Sequence, residues 1–183
     1  MPTFALPSAL AALHIEQVPE RKRAFPPVVD ARTRVVILGS LPGERSLAAG
    51  RYYAHPQNQF WHLAGAVIDR NLVALDGEAR LQALLAARAG LWDVIATARR
   101  EGSSDAAIRE HEPRDLATFA AGLPALRALA FNGGKAHAIG TRALGDRLPG
   151  VARVLLPSSS PLHAVGLAAK LPAWLALRDF LTD

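Results

Sequence analysis

Four short, largely apolar runs recur along the chain: Arg34–Gly39 (RVVILG), Leu91–Ile95 (LWDVI), Leu126–Phe131 (LRALAF) and Val151–Leu156 (VARVLL). Each runs into a polar loop. Apolar runs of this length, bounded by glycine and polar clusters, read as strands buried on both faces. Helical spacing fills the intervals. Phe60–Ile68 places Trp61, Ala64 and Ile68 on one face, and Glu78–Ala89 places Leu81, Leu84 and Leu85, stopping at Gly90. A helix with Pro113 at its first position carries Leu116, Phe119, Ala120 and Leu123. Another follows Asn132-Gly133-Gly134 through Leu144, and a last one begins at Pro172 with Trp174, Leu177 and Leu181 along one face. This alternation predicts an α/β fold with right-handed crossovers and a four-stranded parallel sheet covered by helices on both faces.

Ligands of such sheets bind at the carboxyl ends of the strands. Four loops lie there: Ser40–Gln59, the segment ATARREGSSDAAI after the second run, Asn132–Lys135 and Pro157–His163. With 183 residues the chain forms one full core and not two. The expected division is an N-terminal extension over 1–24 and a single domain over 25–183.

Composition removes several classes of function. Zero cysteines exclude disulfides, thiolate-held iron–sulfur clusters and a thiolate nucleophile. No apolar run is long enough to span a bilayer, and MPTFALPSALAALHIE lacks the basic leader of a signal peptide, so a cytoplasmic place and no membrane partner are expected. Formal net charge is +5, and only Lys22, Lys135 and Lys170 among the 21 basic residues are lysine. Arginine reads phosphate bidentately, which fits a nucleic-acid partner, while a GC-rich genome gives the same bias without one.

Several chemistries remain open on residue type alone. Gly39-Ser40-Leu41-Pro42-Gly43 is a turn that exposes backbone N–H groups, but it lacks the lysine ending of a phosphate loop and the dinucleotide fingerprint. Ser158, Ser159 and Ser160 at a helix start suit phosphate oxygens or serve as caps; paired with His163 they suggest a serine hydrolase, without the usual elbow or an orienting acid. The histidines lack metal-ligand spacing, so no metal and no cofactor are expected. Tyr52 or Tyr53 offers a stacking face for a flat base, and Asn58 a donor–acceptor pair for its edge.

Taken in order, PPVVDARTRVVILGSLPGERSLAAGRYYAHPQNQFW, GLWDVIATARREGSSDAAI, FNGGKA and LPSSSPLHA resemble the uracil-DNA glycosylase superfamily. Within it they are most similar to the DNA-deoxyinosine (hypoxanthine-DNA) glycosylase branch. The resemblance runs from about Phe25 to the C-terminus. It implies a three-layer α/β/α sandwich and a monofunctional glycosylase that acts as a monomer on nucleoid DNA containing deaminated bases, hypoxanthine first and uracil close behind. It implies no cofactor.

It also implies roles for particular residues. The loop from Gly39 through Trp61 surrounds a flipped nucleotide, with Gly39, Leu41, Tyr53, His55 and Asn132 against the base and Tyr53 as the stacking face. The Pro157–Ala164 motif grips phosphates through Ser158, Ser159 and Ser160, helped by Lys135 and His163, and inserts Leu162 into the base stack. One departure stands out. The mismatch-specific branch keeps a water-orienting asparagine, in the pattern G-I-N-P-G, where this chain has Leu41. Asn58, with Ser40 nearby, is then the expected catalytic group; Glu44 and Asp93 are alternative carboxylates. A sensor that binds deaminated DNA without cutting it is the competing reading that Leu41 favours.

Overall fold

The structure is a computed structural model and describes residues 20–182, so most of the expected N-terminal extension lies outside the described residues. The elements run β1 (Arg21–Arg23), β2 (Val35–Gly39), α1 (Glu44–Ala49), α2 (Phe60–Val67), α3 (Gly77–Ala86), β3 (Ala89–Asp93), β4 (Ile95–Arg99), β5 (Arg109–Pro113), α4 (Leu116–Ala121), β6 (Ala128–Asn132), α5 (Gly134–Leu144), β7 (Ala152–Leu156), α6 (Leu167–Leu175) and α7 (Arg178–Leu181).

The central sheet has the order β3-β2-β6-β7, every neighbour pair parallel. Its first strand is fully buried because the sheet is covered on both sides. Val35 and Ile37 point into a core with Phe60, Leu63, Leu84 and Trp174, drawn from α2, α3 and α6. Val36 and Leu38 point into a second core with Leu116, Ala136 and Leu144 from α4 and α5. This is the α/β/α sandwich expected from the alternation of elements.

The second layer contains something the sequence does not announce. A three-stranded antiparallel sheet, β1-β4-β5, contributes Ala98 and Ile95 to that core, with Ile108 from the loop between β4 and β5. The run Leu91–Ile95 is accordingly cut in two: β3 ends at Asp93, and Ile95 opens β4. Arg21–Arg23, inside the expected extension, pairs with β4, and the Ala24 N–H donates to the Ala96 carbonyl at 3.0 Å.

Three helix boundaries also differ from expectation. Pro113 ends β5 instead of starting a helix; α4 begins at Leu116, where the Asp115 side chain accepts from the Thr118 N–H at 3.2 Å. An acceptor side chain satisfies an orphan N–H of a helix start, which proline at a first position merely lacks. Residue 89 belongs to β3, because Arg88 turns the chain at φ 65° after α3. The helix expected from Pro172 through Leu181 is two: α6 starts at Leu167, carries Pro172 inside it and ends at Leu175, and α7 follows from Arg178. Trp174 anchors α6, fully buried and donating to the Pro157 carbonyl at 3.0 Å.

β2 is the first strand of the central sheet. The chain adds β3 on one side of it and then crosses to β6 on the other. The order therefore reverses at β2, and a crevice opens at the carboxyl ends of β2 and β6, where doubly wound sheets bind ligands.

Candidate active site

A cavity of about 400 Å³ occupies that crevice. Three strand ends meet in it: Gly39 from β2, Asp93 from β3 and Asn132 from β6. Further lining comes from Ser40–Gly43, Arg45, Ser46, Tyr52, Tyr53, His55, Asn58, Ser103–Ala106 and Ser158–His163. The loops that the sequence sets at the strand ends thus converge on one space.

Its first wall is built by the long loop after β2. Tyr53 sits at φ 49°, in the left-handed region, and stacks on Phe60 with centroids 3.7 Å apart and planes 3° apart. A non-glycine residue in that region is strained by roughly 1 kcal/mol, and such strain concentrates at ligand sites. Tyr52 instead donates to the Pro26 carbonyl at 3.0 Å and belongs to the core. Asn58 stands two residues before α2, and its Oδ1 accepts from the Phe60 N–H at 3.0 Å. That leaves the amide nitrogen as the part of Asn58 not spent on the helix start. His55 Nδ1 accepts from the Gln57 N–H at 3.1 Å, tightening the turn between them.

The turn at Ser40–Gly43 is held from below. Arg100, fully buried, donates to the carbonyls of Leu41, Pro42 and Gly102, joining this turn to the loop after β4. Ser40 donates to Asp105 Oδ1 on that same loop at 2.6 Å. Leu41 is buried, packs in the second core and also lines the cavity. Lys22 reinforces the arrangement, pairing with Glu44 at 2.6 Å and donating to the Gly102 carbonyl.

Asn132 ties the two motif loops together. Its Nδ2 donates to the Tyr53 hydroxyl at 3.2 Å and to Ser159 Oγ at 2.8 Å, while its Oδ1 accepts from the Ser159 N–H at 2.8 Å. The Ser159 carbonyl accepts from the Gln59 N–H at 3.0 Å. Ser159 is therefore spent on internal bonds and fully buried, and of the three serines only Ser158 and Ser160 keep partial exposure. Gly133 makes the turn after Asn132 at φ 103°, close against Ser158.

Asp93 lies beside Gly39 in register and is 3% exposed. A Cβ at position 39 would stand 2.6 Å from Asp93 Oδ1 and 3.2 Å from the Tyr53 hydroxyl. Glycine is needed there because nothing larger leaves room for the carboxyl. Burial pushes Asp93 up to about 7, against the pull of Arg114 and Arg100. Burial and the neighbouring Asp93 also raise the Tyr53 phenol above its usual range, so it remains neutral.

Leu162 projects from the second loop at 66% exposure, which excludes a core role for it. His163 is exposed on the same rim. Lys135, in the first turn of α5, is half-buried and does not line the cavity. Sequence reasoning missed Arg100, Asp105 and Lys170. Lys170 is buried and donates to the His163 carbonyl at 3.2 Å, steadying the exposed loop. Only the position of ATARREGSSDAAI after a strand hints at the first two. Among the described residues no three histidine, aspartate or glutamate side chains gather as a metal ion would require.

The profile of the Uracil DNA glycosylase superfamily matches residues 26–178. The chain belongs to the uracil DNA glycosylase superfamily. Its relatives include the hypoxanthine DNA glycosylase of Methanosarcina barkeri (strain Fusaro), 36% identical over 154 residues, 84% of this chain and 96% of that one. The hypoxanthine DNA glycosylase of Methanosarcina acetivorans is 44% identical over 115 residues, 63% of this chain and 73% of the relative. A solution NMR structure of a proposed uracil DNA glycosylase from Methanosarcina acetivorans superimposes with TM-score 0.78 and 37% identity, covering 88% of this chain and 99% of that one. As a member, the glycosylase is an enzyme of DNA that cuts the bond between base and deoxyribose.

Gly39→Ala should slow the glycosylase about tenfold, because its methyl displaces Asp93 or the Tyr53 hydroxyl from the cavity floor. Single-turnover base release measures this. An unchanged rate would show that the floor relaxes without cost to the reaction.

Proposed function

We propose that the glycosylase hydrolyses the N-glycosidic bond of deaminated bases in DNA, hypoxanthine first and uracil second, and leaves an abasic site. The observation that carries the reading is the single cavity in which Gly39, Tyr53, Asn58 and Asn132 meet, with the exposed Leu162 on its rim. A space of about 400 Å³ at strand ends is suited to one extruded base, and an enzyme can reach the glycosidic bond only after extrusion. The names of the Methanosarcina relatives support hypoxanthine as the base.

In this reading Tyr53 stacks on the base with the ring face opposite Phe60. His55, Asn132 and the backbone at Gly39 and Leu41 contact its edges. Leu162 fills the gap left in the duplex, and an apolar wedge is the right chemistry for that task. Ser158, Ser160 and His163 hold the flanking phosphates with neutral and N–H donors, and Lys135 adds charge at longer range. Asn58 turns its amide toward the attacking water, and Ser40, held by Asp105, lines the same cavity. Water then attacks the sugar carbon as positive charge builds there.

No lysine lines the cavity among the described residues: Lys22 is paired with Glu44 and Lys170 is buried beneath the rim loop. A Schiff-base route needs a free amine at the sugar, so the reaction proposed is hydrolysis alone. The protein works as a monomer on nucleoid DNA. Among the described residues no helix is long and apolar enough to cross a membrane.

Labelled duplexes carrying deoxyinosine, deoxyuridine or no lesion test the proposal. Alkali-sensitive breaks at deoxyinosine, and more slowly at deoxyuridine, are expected. Leu41, together with the commitment of Asn58 Oδ1 to α2, favours a second reading in which the same surface binds the lesion without cutting it. Lesion-selective binding with no break at either base would establish that reading in place of the first.

A further inference from the structure

Asp93 lines the cavity, and the proposed hydrolysis gives its carboxyl no role. Its Oδ2 is buried and has no hydrogen-bond partner among the described residues. Leaving a buried carboxyl oxygen unpaired costs stability, so a group of this kind marks a place that a ligand completes. The charged and titratable groups facing it come from three loops. Arg100 follows β4, but its guanidinium is committed to the carbonyls of Leu41, Pro42 and Gly102. Arg114 follows β5, lies over the Trp92 ring at 4.3 Å, donates to the Phe25 carbonyl and keeps its Nε unpaired. Asp105, on the loop after β4, repels a second negative charge, and the phenols of Tyr52 and Tyr53 lie on the wall after α1.

We propose that Asp93 protonates the departing purine, its carboxyl passing a proton to N7 of hypoxanthine as the C1′–N9 bond breaks. The inference rests on the glycosylase reading of the cavity. The bonding pair stays on N9, the Asp93 proton goes to N7, and hypoxanthine leaves neutral. The sugar cation takes the oxygen of water, and the proton that water loses passes to the Asp93 carboxylate or to solvent. Hypoxanthine in a nucleoside has its most accessible basic site at N7. Uracil has no equivalent, since N1 carries the sugar and N3 a hydrogen. The residue therefore confers an advantage on purines specifically. The acid form exists below about pH 7, the value to which burial raises this carboxyl, so the advantage is present at lower pH and lost as pH rises through that point.

Single-turnover release of hypoxanthine should be measured from pH 5.5 to 9 for the wild-type protein and Asp93→Asn, with duplexes bearing deoxyinosine or 7-deazadeoxyinosine. The wild-type rate on deoxyinosine is expected to fall as pH rises through 7. Asp93→Asn should be about a hundredfold slower at pH 6 and lose that dependence, because the amide donates a hydrogen bond but no proton. The wild-type protein should be similarly slow on the 7-deaza base, with little further loss in the variant. If Asp93→Asn fails to fold, the wild-type comparison of the two substrates decides alone. Asp93→Asn excising deoxyinosine within about threefold of wild type, or a 7-deaza base released as fast as hypoxanthine, overturns the inference. No release of hypoxanthine by the wild-type protein removes the reading beneath it.

Discussion

Asn132→Ala is expected to lower single-turnover base release about a thousandfold and to destabilise the fold by about 3 kcal/mol. Both effects come from one amide. Truncation leaves the Ser159 N–H without its acceptor in a site that excludes water, and leaves Ser159 Oγ and the Tyr53 hydroxyl without their donor. Each orphaned buried group costs on the order of 1–3 kcal/mol, and the cavity left by the side chain adds to that. The activity loss is larger than stability alone explains, because the stacking wall and the phosphate-facing loop lose their common anchor. Asn132→Asp separates the terms: it keeps the acceptor for Ser159 N–H but cannot donate to Tyr53 or to Ser159 Oγ while ionised. Urea unfolding with an unchanged slope gives the stability term. A midpoint within error of wild type for Asn132→Ala would mean that the Asn132–Ser159 contact is not maintained in solution.

Asn58→Ala is expected to lower excision by a similar factor, near a thousandfold, while changing lesion-DNA affinity less than about tenfold. A group that acts only as charge develops at the sugar is missed in the transition state and not in the complex. The same substitution removes the Oδ1 acceptor at the start of α2, worth about 1 kcal/mol. Asn58→Asp keeps that acceptor, so its stability should return to within about 0.5 kcal/mol of wild type. A rate loss common to both variants then belongs to the amide nitrogen. Equal losses of rate and affinity in Asn58→Ala would reduce Asn58 to a tie at the helix start.

The central sheet was legible because its signal is local. Val35–Leu38 is apolar at every position, as a strand covered on both faces must be, and the glycine that closes the run is readable as a strand end. The meeting of the strand-end loops followed from topology alone. The second sheet was not legible, for a physical reason. All five residues of β5 are exposed and carry no apolar alternation, and β1 pairs with a strand more than seventy residues away, as in Arg21 opposite Arg99. The same distance hid parts of the site. Ser40 and Asp105 are 65 residues apart, and Arg100 with the Leu41 carbonyl 59 apart. Ser159 illustrates the opposite error: three adjacent serines look equivalent as a string, yet alternation of side-chain direction buries the middle one and leaves its neighbours partly exposed. Local pattern reads covering and periodicity. It does not read which polar group a distant loop will deliver.

Among the described residues the small sheet has two open sides, and each is a row of backbone donors and acceptors that a strand from another molecule could extend. The outer strands are Arg21-Lys22-Arg23 and Arg109-Glu110-His111-Glu112-Pro113. Nearly every residue on them is charged, and the second ends in a residue with no N–H to offer. Docking a further strand there would bring ionic side chains against one another without an apolar face to compensate, the arrangement by which natural sheets discourage edge-to-edge aggregation. Borders of this composition are unattractive to further copies of the chain.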